Sequence, residues 1–157
     1  MDVFGTVIAT VVSGVGVLVV GQIIRTLVLD PMQEQRKVIG EIDYTLLYTA
    51  RWWSSRLGEH IDRLPEPTQA AIRETDDVLR RCASRLAATT NAIMAYNVLV
   101  RLRWVPPRAA VDEARGLLIG LANAVFSSSE RPREALDDAR AIRSLLLLPP
   151  SPPGVSI

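Results

Sequence analysis

The twenty-two residues between Asp2 and Arg25 carry no formal charge. As an α-helix they extend about 33 Å, at 1.5 Å of rise per residue. That length matches the hydrocarbon core of a bilayer. Lipid offers no partner for an open N–H or C=O, so a single crossing segment has to bond its own backbone, which a helix does. Residues 1–29 are therefore predicted to be a transmembrane helix. A cleaved secretory leader is the competing reading. It would place positive charge before the apolar run and a small-residue cleavage motif after it. Here Asp2 precedes the run, Arg25 follows it, and no A-x-A pattern comes next.

Orientation follows from where Lys and Arg lie. None precedes the span, while Arg25, Arg36 and Lys37 follow it. By the positive-inside rule the N-terminus is expected outside a bacterial inner membrane and the rest of the chain in the cytoplasm. The single cysteine, Cys82, cannot form an intramolecular disulfide, which agrees with a reducing compartment. At 100° per residue the span gathers Thr6, Thr10, Ser13, Gly14 and Gly21 on one side, with bulky Val, Ile and Leu opposite. Small and hydroxyl residues let helices approach closely where lipid removes the hydrophobic drive between them. This face, with Val17 beside it, is expected either to pack identical helices together or to line a narrow, partly apolar path.

Beyond the span the sequence reads as all-α. Asp30-Pro31 resembles an N-cap with a first-turn proline, and Gln33 stands where a capping box places Glu or Gln, so a new helix is expected to start there and run to about Leu57. Trp53 is expected in a core or subunit contact. Pro65, Pro67 and His60 mark a turn. A helix from Thr68 carries a stripe of Ile72, Val78, Leu79, Cys82, Leu86, Ile93 and Tyr96, and is expected either to end at about Asn91 or to bend near there. A short piece from Val98 to Trp104 precedes Pro106 and Pro107. A further helix is built on Val111, Ala114, Leu118 and Leu121, with Gly116 and Gly120 flattening one side, and a last one runs from Pro132 to Leu146. Residues 30–147 thus form one cytoplasmic helical domain, and 148–157 a proline-rich tail.

Net charge is only +1, yet its distribution is uneven. Val78 to Val111 contains no acid while holding Arg80, Arg81, Arg85, Arg101, Arg103 and Arg108, and the acids flank this segment on both sides. The simplest account is internal pairing between neighbouring helices. A sharper one is an anion site, since arginine's planar fork suits phosphate and Trp104 or Tyr96 could stack a base. Anionic lipid is a third candidate, although the segment starts roughly fifty residues after the span in sequence. No phosphate loop, dinucleotide fingerprint, nucleophile elbow or zinc-protease motif is present, so no enzyme is expected. One His and one Cys form no metal-ligand set, and no cofactor is expected.

The segments DPMQEQRKVIGEIDYTLLYTA, RLAATTNAIMAYNVLVRL and VDEARGLLIGLANAVF are similar to those of short bacterial proteins with one N-terminal span and a helical cytoplasmic part. Over residues 3–146 the chain resembles the membrane effectors of the two-gene antiphage system called Hailong. That resemblance implies a homotetrameric channel held closed by short single-stranded DNA made by a nucleotidyltransferase partner. It assigns no site residue. The alternative is a membrane-anchored adaptor or scaffold that recruits a protein partner without forming a pore.

Overall fold

A computed structural model describes residues 3–54, 64–126 and 132–148, with side chains over 12–49, 64–124 and 134–148. Its elements in order are α1 (Val3–Ile24), a π-helical turn (Arg25–Leu29), α2 (Asp30–Ser54), α3 (Glu66–Ala92), α4 (Tyr96–Arg101), α5 (Arg108–Phe126) and α6 (Pro132–Leu145). No strand occurs among the described residues, so the all-α expectation holds. The side chains of Trp52 and Trp53, His60, and residues 149–157 of the expected tail lie outside the described residues.

α1 is apolar along its length, and every residue from Val12 to Ile24 is exposed. It is the one described helix long and apolar enough to cross a membrane. The expected helix start at Asp30 is corrected by the structure: Asp30 has helical dihedrals, and the chain runs as one helix from α1 through α2. The junction is wound differently. Proline has no N–H and its ring collides with the carbonyl four residues back, so an uninterrupted α-helix through Pro31 is costly. The chain accommodates Pro31 with a π turn, in which the Asp30 N–H reaches back five residues to the Arg25 carbonyl. Deprived of its α-helical donor at Pro31, the Leu27 carbonyl instead accepts the Met94 N–H at 3.3 Å.

Below this junction α2, α3, α5 and α6 form a bundle, with α3 packed on α2 and α5, and α6 closing against α5 and α2. α2 and α3 run antiparallel, as Leu27 meets Met94 and Gln35 meets Thr90. Their stripes supply the main core, in which Ile42, Leu46, Ile72, Leu79, Leu86, Leu118, Leu121 and Ile142 are fully buried. Cys82 is a small buried member of that core. At its edge Arg143 of α6 pairs with Asp43 of α2.

Ile93 and Tyr96 do not continue the α3 stripe. α3 stops at Ala92, Ala95 turns the chain with a left-handed φ of 54°, and a second, smaller core forms from Met32, Ile93, Tyr96, Leu99 and Val105, with Val28 of the π turn against it. This cluster holds α4 on the end of the bundle nearest α1. Among the described residues nothing lies within 4 Å of where a Cβ would stand at Gly116 or Gly120, so no described backbone packs on the flattened side of α5.

Candidate functional site: the arginines and the α1 face

The acid-free segment is folded so that its six arginines occupy three different settings. On α3, Arg85 reaches across to α2, pairing through Nη1 with Glu41 and through Nη2 with Glu34 Oε1 at 3.0 Å. Lys37 Nζ lies 3.5 Å from the other oxygen of Glu34. Hydrogen bonds from Arg85 and then Lys37 hold the Glu34 carboxyl below the ordinary carboxylate range, and Glu34 first and Glu41 next push the Arg85 guanidinium above its own. Nearby, burial and then the Glu41 carboxylate raise the Cys82 thiol above its ordinary value. Arg80 is likewise engaged, donating from Nε to Asp76 at 2.8 Å and from Nη2 to Asn123 at 2.7 Å. For Arg80 and Arg85, internal pairing is what the fold shows.

Arg108, at the start of α5, donates to Asn91 Oδ1 at 3.1 Å and lies over the Tyr96 ring, 4.7 Å from its centroid. Tyr96 is buried, and its hydroxyl donates to the Pro106 carbonyl at 2.6 Å and accepts from Gln35 Nε2. The ring expected to be available for base stacking is thus committed to the core. Arg81, Arg101 and Arg103 are exposed, and their side chains make no ion pair or hydrogen bond with the described residues.

Among the described residues, one place brings two guanidiniums and exposed aromatic surface together. Arg103 follows α4 with a left-handed φ of 58°, which turns the chain back toward α2. There Arg36, Ile39, Arg103, Trp104, Pro106 and the segment 146–148 line an open cleft of about 280 Å³. Arg36 donates to the Trp104 carbonyl at 3.4 Å, and the Trp104 side chain is half exposed. Two guanidiniums beside an indole can hold a phosphate and stack a base. Arg36 was legible in sequence only as a topology signal, because its partners lie 67 and 68 residues away.

A second cavity, about 220 Å³, opens between α2 and α3 and is lined by Tyr44, Thr45, Tyr48, Thr49, Glu74 and Val78. Tyr44 and Tyr48 are exposed and stacked, with centroids 5.9 Å apart. Their i, i+4 spacing was the available signal. On α1, Ser13, Gly14, Val17 and Gly21 are all exposed, and nothing among the described residues lies within 4 Å of a Cβ position at Gly14 or Gly21. The side chains of Thr6 and Thr10 lie outside the described residues. No family model matches the chain, and neither any curated protein nor any solved structure does.

Proposed function

We propose that this chain is a homo-oligomeric, single-span effector of the bacterial inner membrane, acting in antiphage defence as a channel controlled by an oligonucleotide. In this reading α1 crosses the bilayer, N-terminus outward, and packs against identical helices along the Thr6, Thr10, Ser13, Gly14, Val17 and Gly21 face. A tetramer is the favoured assembly, with short single-stranded DNA from a nucleotidyltransferase partner as ligand, in keeping with the resemblance to Hailong effectors.

The observation that carries the reading is the Arg36/Arg103/Trp104 cleft on a bundle whose first helix is continuous with α1. The cleft offers charge to a phosphate and a face to a base, and its size lies near the lower end of small-ligand sites. Because α2 is the same helix as α1, displacement of the cleft reaches the span without an intervening flexible loop. Arg81 and Arg108, exposed elsewhere on the bundle, add to the positive field around a symmetric assembly.

The test uses the full chain in detergent and in vesicles. Light scattering gives the subunit number, and fluorescence anisotropy gives the affinity for a short single-stranded DNA. Arg36→Glu, Arg103→Glu and Trp104→Ala should each weaken binding at least tenfold, and ligand should alter ion flux from vesicles. A monomer, or affinities indifferent to all three changes, refutes the proposal. The adaptor reading is favoured by the exposed Tyr44/Tyr48 pair above its cavity. It predicts no ion flux under any ligand.

A further inference from the structure

In sequence, α4 lies far from the span; in the fold it is returned to the span's end. The Met94 N–H is bonded to the Leu27 carbonyl, and Val28 of the π turn packs into the cluster under α4. Val28 is four residues past Ile24, about 6 Å of helical rise. The polar layer of a bilayer is about 5–7 Å deep on each side. If α1 crosses the membrane, the Met94 end of this segment sits at the level of the lipid headgroups.

Its two faces are divided accordingly. Tyr96 and Leu99 point into the small core, while Val98 and Leu102, four residues apart, are 55% and 53% exposed, and Met94, just before the Ala95 turn, is 57% exposed. Arg101, one turn after Val98, is exposed and has no partner among the described residues. Large exposed apolar side chains close together on a short surface segment call for a cover. A flat apolar face bordered by an arginine is the pattern of an interfacial element, whose apolar side chains enter the acyl boundary while the guanidinium reaches back to phosphate.

We infer that α4 is a second membrane contact, with Met94, Val98 and Leu102 seated in the cytoplasmic leaflet and Arg101 on the phosphates of anionic lipid. This rests on the reading of α1 as a span and is independent of what the cleft binds. The membrane is the occupant that the patch's continuity with the end of α1 and its charge both select. Two contacts, one along α1 and one along α4, then fix the tilt and rotation of the bundle against the bilayer, which a single helix could not do.

The experiment uses full-length protein in vesicles of phosphatidylcholine with one quarter phosphatidylglycerol. Spin labels are placed by Val98→Cys, Leu102→Cys, Leu18→Cys and Ala70→Cys, the third on the bulky side of α1 away from the packing face and the last exposed near the start of α3. Native Cys82 stays, since burial keeps it from labelling. Collision with oxygen, which partitions into lipid, is compared with collision with a water-soluble nickel chelate. Positions 18, 98 and 102 should favour oxygen several-fold, and position 70 should favour nickel. Arg101→Gln, or omission of phosphatidylglycerol, should move position 102 toward water. Water access at 98 and 102 with lipid access at 18 overturns the inference alone. Water access at 18 as well overturns the span reading together with it. Shielding of 98 and 102 from both reagents assigns the face to a second copy, and shielding only on addition of single-stranded DNA assigns it to the ligand. Either result overturns the lipid contact.

Discussion

Pro31→Ala separates the two forces that shape the junction below α1. Proline inside a helix is about 3 kcal/mol less favourable than alanine. A backbone hydrogen bond such as Met94 to Leu27 is worth about 1 kcal/mol net. With an N–H restored at position 31 the Leu27 carbonyl regains a local donor, and the helix preference outweighs the single long-range bond, so the π turn relaxes to α. Relaxation rotates α1 against α2 by about 100° and shifts it by about 1.5 Å, one residue's worth of helix. The Met94 amide then loses its acceptor. Hydrogen exchange in detergent, read by mass spectrometry, should show that amide exchanging about fivefold faster, the equivalent of about 1 kcal/mol. The melting temperature of the bundle should be unchanged or higher. Unchanged protection at Met94 combined with a lower melting temperature would mean that the π turn is not held by Pro31, and the reasoning fails.

Three further outcomes follow from the packing and electrostatics. Arg143→Ala leaves the largely buried Asp43 carboxylate without its partner and should cost about 3 kcal/mol in denaturant unfolding; a cost below about 1 kcal/mol would show that water already screens the pair. Gln35 is fully buried with Oε1 unpartnered among the described residues, while Thr90 and Tyr96 each donate to a backbone carbonyl, so Gln35→Leu should fall within about 1 kcal/mol of wild type or stabilise the fold. Glu34 has a depressed folded pKa, so its contribution is present above the ordinary value of 4.5 and is lost as pH falls through the lower folded value. Melting curves from neutral pH to about pH 3 should therefore show a smaller acid-dependent loss for Glu34→Gln than for wild type. Parallel curves would remove Glu34 from the acid response.

What was legible in the sequence was what depends on neighbours along the chain. The uncharged run before Arg25 specifies an apolar helix whatever follows it, because length and hydropathy are local properties. The 3.6-residue stripes through Leu79, Cys82 and Leu86, and through Ala114, Leu118 and Leu121, likewise marked the faces found buried. Local reasoning failed at Pro31. The same proline suits a helix start or a tolerated interior position, and only tertiary contact decides between them, here the Met94 donor and the small core around Met32.

Charge followed the same division. The acid-free run was visible in sequence, as was the i, i+4 spacing of Asp76 and Arg80 within α3, but that Arg85 is spent on Glu34 and Glu41 depends on how α3 lies against α2. Sequence separation also set α4 apart from the apolar helix, whereas a left-handed turn at Ala95 and one backbone hydrogen bond bring them together. Helix type and apolar faces are written in residues a few positions apart. Burial, pairing and nearness to the end of α1 arise between residues far apart in the chain, where only the packed fold sets the distance.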